Sequence, residues 1–215
     1  DTCAADGLCA TRCPVGIDTG KMVKALRQEA RGSLAKQIAG GVGSRFGAIT
    51  QLIRHGMNAV DLIHSITGTR FMEKASLIAR NASFKKLPLW NREMPSGGRR
   101  IKPAPGNESA PDKVVYFPSC AGRAMGGPSR NDSFQDTLPE KTASILKKAG
   151  YEIIYPENLD SLCCGQSFES KGFMDEADKK SNGLSGALLA ATQNGRYPVL
   201  CDTSPCLQRM KTTMD

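Results

Sequence analysis

The stretch KVVYFPSC, residues 113–120, decides the fold, because it is a short β-rich apolar run that ends in a turn and a cysteine. Two similar runs follow at 152–155 and 197–201, and segments with helical spacing at 138–149 and 175–193 separate them. Strands that alternate with helices predict a parallel sheet joined by right-handed crossovers. The C-terminal half is therefore predicted to be an α/β domain of order β-α-β-α-β.

One or two cysteines follow each predicted strand. Cys120 lies three residues beyond the first strand, Cys163 and Cys164 lie after the second, and Cys201 and Cys206 lie at and beyond the end of the third. Parallel strands place their carboxyl ends at one edge, where open α/β sheets bind ligands. We expect the five thiols to converge there and to bind an iron–sulfur cluster or zinc. The alternative is a vicinal cysteine pair in an ordinary core.

A second group of cysteines opens the chain, in TCAADGLCATRCPVGI, residues 2–17. Cys3, Cys9 and Cys13 take the first, third and fourth positions of the ferredoxin run C-x2-C-x2-C-x3-C-P, and Asp6 takes the second. Zinc loops favour C-x2-C pairs or Cys/His sets, and disulfide frameworks belong to small secreted domains, so both fit less well. The fourth cysteine of such a run ligates another cluster, so we expect a second run upstream in a longer parent protein.

Asp6 admits two interpretations. A carboxylate is a harder and weaker ligand for iron than a thiolate, so a cluster bound here would lose one iron easily. Alternatively, Asp6 and Gly7 form a turn in a degenerate half-site that binds no cluster.

Composition narrows the functional class. Eight cysteines in 215 residues, at metal-ligand spacings, favour a reducing, cytoplasmic compartment. No apolar run is long enough to span a bilayer. Residues 1–110 hold 17 Lys and Arg against 8 Asp and Glu, whereas 111–215 hold 12 against 13, and the net charge is +8. Aromatic residues are too sparse for basic–aromatic interleaving, so no nucleic-acid partner is expected.

The N-terminal half is predicted to be helical, at 20–31, 33–40, 44–66 and 69–83. An apolar face of the third helix is expected to pack on the cluster regions, and it consists of Leu52, Ile53, Met57, Val60, Ile63 and Ile66. Arg45, Arg54 and Arg70 lie off that face and are interpreted as solvated. The alternative is a basic face that docks on anionic lipid at the cytoplasmic membrane.

Three parts are predicted along the chain. Residues 1–87 form the helical region that opens with the partial ferredoxin-type motif, 88–111 form a Pro/Gly-rich linker, and 112–215 form the cysteine-rich α/β domain.

The motifs FPSC, CCG and CDTSPC resemble the CCG cysteine-rich domain of heterodisulfide reductase subunits and of glycolate- and lactate-oxidising systems. Combined with CAADGLCATRCPVGIDTG, residues 3–20, they resemble the C-terminal iron–sulfur portion of FAD-linked D-lactate dehydrogenases. The resemblance covers residues 1–32 and 112–210. Families of this kind often carry two CCG repeats, so we also expect a C-terminal truncation.

The resemblance implies 4Fe-4S ligation in both motifs, by Cys3, Cys9, Cys13, Cys120, Cys163, Cys164 and Cys206. Repeats of this family end in C-x2-C, whereas Cys201 precedes Cys206 at C-x4-C spacing. Cys201 is therefore either a displaced ligand or a small buried apolar residue.

The resemblance also implies a route for electrons. They would pass from FAD, in a part of the parent protein outside this chain, through the clusters to a quinone or cytochrome acceptor. No residue of this chain would oxidise the substrate. Two alternatives stay open, which are a thiol–disulfide enzyme of the heterodisulfide reductase type and a zinc-stabilised interaction module.

Overall fold

The computed structural model describes residues 10, 12–101, 112–130 and 135–214. The four predicted helices of the N-terminal half are confirmed, as α1 (Thr19–Glu29), α2 (Ser33–Ser44), α3 (Phe46–Thr67) and α4 (Thr69–Ala82). Asp18 begins α1, because its carboxylate accepts a hydrogen bond from the Lys21 N–H at 3.1 Å. No helix among these described residues is both long and apolar enough to cross a membrane.

Three short strands form a parallel sheet with β1 at its centre. They are β1 (Asp112–Phe117), β2 (Tyr151–Ile154) and β3 (Val199–Cys201), in the order β2-β1-β3. Val115 pairs with Ile154 on one side and with Val199 on the other. The crossover helices are α6 (Leu138–Lys148) and α8 (Met174–Ala191), so the predicted order β-α-β-α-β is confirmed.

Three further helices follow the strand ends at the carboxyl edge. They are α5 (Cys120–Met125), α7 (Gln166–Glu169) and α9 (Ser204–Thr213). Each begins within a few residues of a cysteine, so the edge of the sheet is built from helix starts as well as loops.

The core of the α/β half lies around β1. Val115 and Phe117 are fully buried and pack with a cluster that includes Leu184, Leu188, Cys164, Cys206 and Met210. A second buried cluster joins the N-terminal helices to the sheet edge, and it consists of Ala39, Phe46, Cys163, Phe168 and Ala177. The cysteines are therefore part of both apolar clusters, and their positions are fixed by packing.

Helix α3 packs with its polar face inward, so the prediction of a packed apolar face was wrong. Arg54 is only 8% exposed and donates hydrogen bonds to the Asp160 carboxylate and the Arg123 carbonyl. Leu52 and Ile66, on the predicted packing face, are 71% and 76% exposed. The interpretation of Arg54 as solvated was wrong for the same reason: its buried guanidinium has acceptors in the α/β half.

Residues 90–101, which we interpreted as part of a linker, lie against the helices. The Trp90 and His64 rings pack with centroids 4.6 Å apart. The Gly97 N–H donates to the Asn58 side chain at 3.0 Å, and a Cβ at Gly97 would lie 2.1 Å from the Arg54 carbonyl oxygen. This segment therefore holds α3 close to the start of the α/β half.

Candidate metal centre

Cys120 is the first residue of a helix that starts directly after β1. The Ser119 hydroxyl accepts a hydrogen bond from the Gly122 N–H at 3.2 Å, which caps α5. Cys120 itself is half-buried. The change from strand to capped helix thus fixes this thiol at the carboxyl edge of the central strand.

Cys163 and Cys164 occupy a buried turn that requires glycine. Gly165 has a φ of +86°, and a Cβ there would lie 2.3 Å from the Ala177 carbonyl oxygen. Its N–H lies 3.3 Å from Cys163 Sγ and donates to it. Both cysteines are 1% exposed. Close packing of the turn against α8 therefore determines where the vicinal pair lies.

Asp202 holds the third cysteine segment against the first. Its carboxylate accepts hydrogen bonds from the Tyr116 hydroxyl and the Ser119 N–H, both at 2.9 Å. Cys201 ends β3 immediately before it, and Cys206 lies in the first turn of α9. Sequence reasoning missed Tyr116 and Asp202. The available signal was a carboxylate at the end of an apolar strand.

The structure brings the five cysteines of this half together in one continuous row. Cys120 Sγ and Cys163 Sγ lie 3.8 Å apart. Beyond this pair, Cys163 and Cys164, Cys164 and Cys206, and Cys206 and Cys201 each lie close enough to shift each other's pKa, and we call the five thiols the CCG row. Two thiolates that share one tetrahedral zinc ion, with Zn–S bonds of about 2.3 Å, would also lie roughly 3.8 Å apart.

Interactions between neighbouring thiols divide the CCG row into two kinds. Cys120 and Cys164 lower the pKa of Cys163 to about 3, and Cys206 lowers the pKa of Cys201 to about 7. The same interactions, together with burial, raise the pKa values of Cys120, Cys164 and Cys206. Negative charge therefore concentrates on Cys163 and Cys201, and thiolate is the form that binds soft metals.

The five cysteines of the row lie within the segment that matches a known protein family. Residues 114–207 match the CCG cysteine-rich domain. No match was found among curated proteins or among solved structures. The match supports a redox or iron–sulfur-related role, of the kind found in oxidoreductase subunits.

Arg123 places a buried positive charge beside the CCG thiols, and sequence reasoning missed it. Its guanidinium donates to the carbonyl oxygens of Pro118 at 3.1 Å, Leu162 at 2.7 Å and Leu159. Burial lowers the pKa of Arg123, and the nearby Cys120 opposes that shift. The side chain thus ties the loop after β2 to the end of β1 and offsets thiolate charge.

Arg209 packs against the turn formed by Cys163, Cys164 and Gly165, which we call the CCG turn. It is 3% exposed and donates to the Cys164 carbonyl oxygen at 2.9 Å, to Glu169, and to Asp178 at 2.8 Å. Glu169 in turn forms an ion pair with Lys24 of α1 at 2.9 Å. One polar network therefore links the vicinal cysteines to the N-terminal helix.

Helix α1 is docked on the segment that follows the CCG turn. Arg27 donates to the Ser170 carbonyl oxygen at 2.5 Å, and Arg31 donates to that of Lys171 at 2.9 Å. Gly172 has a φ of +85°, and a Cβ there would lie 2.6 Å from the carbonyl carbon of Arg27. The backbones of the two segments are therefore nearly in contact.

The N-terminal motif lies only partly within the described residues. Cys3, Asp6 and Cys9 lie outside them, so their roles stay predictions. Cys13 is half-buried with a free thiol, six residues before α1 begins.

The donor chemistry of the CCG row fits a soft-metal centre. Thiolates are the ligands that iron–sulfur clusters and zinc select, and the eight cysteines of the chain are compatible with a cluster. In the described part of the chain, no three His, Cys, Asp or Glu side chains are already grouped around one ion position. The thiols thus present a row of donors, with Cys120 and Cys163 as a close pair.

Proposed function

We propose that this chain is the iron–sulfur electron-transfer segment of a flavin-dependent D-2-hydroxyacid dehydrogenase that acts on D-lactate. The row of five cysteine thiols at the carboxyl edge of the sheet carries this proposal. The ferredoxin-like spacing of Cys3, Cys9 and Cys13 supports it. The chain would act as part of an oxidoreductase, with an FAD-binding domain or subunit as electron donor and a quinone or cytochrome as acceptor.

The protein supplies the ligands and the electrostatic environment of the centre. The residues that would hold a cluster are Cys120, Cys163, Cys164 and Cys206, with Cys201 beside Cys206. A bound iron–sulfur cluster would supply reversible one-electron transfer. Burial of the vicinal pair excludes water, and the Gly165 N–H stabilises negative charge on the Cys163 sulfur.

The network between α1 and the CCG turn supports transfer between two centres. Lys24, Glu169 and Arg209 connect the helix that follows the N-terminal motif to the backbone of Cys164. Such a rigid connection would keep the distance between the two cysteine motifs constant.

The decisive experiment measures iron, acid-labile sulfide and zinc in the chain purified under strict anaerobiosis. We expect iron and sulfide, with a brown colour. Cys120→Ser and Cys164→Ser should each lose most of the iron of the CCG site, because serine is a poor ligand for it. The sequence predicts a smaller loss for Cys201→Ser.

Ala39→Ser is the matched control. Ala39 is buried in the same cluster as Cys163, so this change adds a buried hydroxyl and removes no thiol. It should retain iron. Zinc in place of iron, or equal iron loss in Ala39→Ser and Cys164→Ser, would contradict the proposal.

A further inference from the structure

An apolar groove lies beside the CCG turn, between α2, α3 and the segment from α7 to the start of α8. Its volume is about 420 Å³, within the range of small-molecule sites. The walls are almost entirely apolar and include Ile38, Val42, Ile53, Phe46, Phe168 and Phe173. The groove is open to solvent along α2 and α3, where Ile38 is 59% and Ile53 is 40% exposed.

Two residues that line the groove also pack in a buried cluster with Cys163 of the CCG row. Phe46 and Phe168 line the groove and pack in the same buried cluster as Cys163. Ser167 also lines the groove and lies close enough to Cys163 for its hydroxyl to lower the pKa of that thiol. A molecule in the groove would therefore be separated from Cys163 by a single layer of side chains.

The lining indicates what kind of molecule fits. Thr50 is one of the few polar residues there, and its hydroxyl already donates to the Gly47 carbonyl oxygen at 2.9 Å. Lys171 is the one charged residue among the described lining residues. An acceptor that carries phosphates would need more donors than these. An apolar ring with one or two carbonyl oxygens needs only the Lys171 ammonium as donor.

The aromatic side chains favour a ring over an alkyl chain. The Phe46 and Phe168 rings have centroids 6.2 Å apart and are tilted by 51°. A planar ring can add an offset or edge-to-face contact to such a pair, whereas an alkyl chain gains only apolar burial.

We propose that this groove binds a lipophilic quinone, which accepts the electrons of the thiol-bound centre. The inference rests on the proposed electron-transfer function and deepens it by assigning the acceptor and its site. Reduction of one quinone to the quinol would take two electrons, which a cluster held by the CCG cysteines would supply one at a time, and two protons from solvent. The Lys171 ammonium, which has three N–H donors, would donate a hydrogen bond to a carbonyl oxygen.

The test is equilibrium binding of decylubiquinone to the full chain, measured by calorimetry on both metal-loaded and metal-free protein. We expect saturable binding at one site in both forms. Ile53→Gln and Ile38→Gln should each weaken binding at least tenfold, because an amide would enter an apolar wall. Both positions are partly exposed, and circular dichroism verifies that the variants stay folded.

Leu52→Gln is the matched control. Leu52 precedes Ile53 on α3, is 71% exposed and lies outside the groove lining, so binding should change less than twofold. Equal weakening in Leu52→Gln and Ile53→Gln would overturn the proposal. So would absence of saturable binding, or displacement of the quinone by an equal concentration of decanol, which would show that only an alkyl chain is recognised.

Different experimental outcomes contradict the quinone site and the electron-transfer function. Iron-loaded protein that does not bind decylubiquinone overturns the quinone site alone. Protein that binds decylubiquinone but contains zinc in place of iron overturns the electron-transfer function, and with it the role of the quinone as acceptor.

Discussion

Arg209→Met should destabilise the protein strongly, because Arg209 is buried between the CCG turn and α7. Its guanidinium donates to the Cys164 carbonyl oxygen and to the Glu169 carboxylate, which is mostly buried. The Asp178 side chain is 60% exposed, so that ion pair contributes little. Breaking a buried pair costs about 3–5 kcal/mol. For a chain of this size that corresponds to a fall in Tm of roughly 6–20 °C.

The assay is thermal unfolding followed by circular dichroism, on metal-free protein so that metal binding does not add to the stability. Arg196→Met is the matched control, because Arg196 is exposed and lies over the Tyr197 ring at 5.5 Å. It should change the free energy of unfolding by less than about 0.5 kcal/mol. A fall in Tm of less than about 2 °C in Arg209→Met would refute the reasoning.

Two further predictions concern α1 and the end of β3. Gly172→Ala should loosen the docking of α1 and speed hydrogen exchange in that helix, because its Cβ would lie 2.6 Å from the backbone of Arg27. Gly195→Ala is its control, since Gly195 has the same φ of +85° with no atom within 4 Å; equal exchange in both variants would rule out the close approach as the cause. In metal-free protein, Cys206 lowers the pKa of Cys201 to about 7. The rate at which Cys201 reacts with iodoacetamide should therefore rise with pH and reach half its maximum near pH 7, because the thiolate is the reactive form. Cys206→Ala removes that interaction and should move the midpoint up towards the ordinary thiol value of about 8.5; an unchanged midpoint would show that Cys206 does not lower the Cys201 pKa.

The arrangement of the α/β half could be predicted from the sequence because its signals are local. The run at 113–117 becomes β1, and the cysteines after each strand follow the strands to the same edge. Parallel topology alone brings Cys120 and Cys206 together, without knowledge of any side-chain contact.

The orientation of α3 could not be predicted, because its determinants lie far along the chain. Arg54 is buried through its contact with Asp160, and Asp61 is buried where it accepts a hydrogen bond from Ser129 at 2.7 Å. Apolar periodicity compares the hydrophobicity of the faces of one helix, and it contains no information about hydrogen-bond partners that lie far along the chain. Arg209 was missed for the same reason, since its acceptors come from α7, α8 and the CCG turn.

The central position of β1 has a consequence for biosynthesis. Cys120 follows β1, the first strand of this sheet to be synthesised, but the partners that complete its edge arrive with β3 and α9, 86 residues later at Cys206. At a translation rate of about 5–20 residues per second, this delay is roughly 4–17 s. Binding of the proposed cluster by the complete CCG row would therefore follow synthesis of the whole domain, and the early cysteines would have to stay reduced on the nascent chain until then.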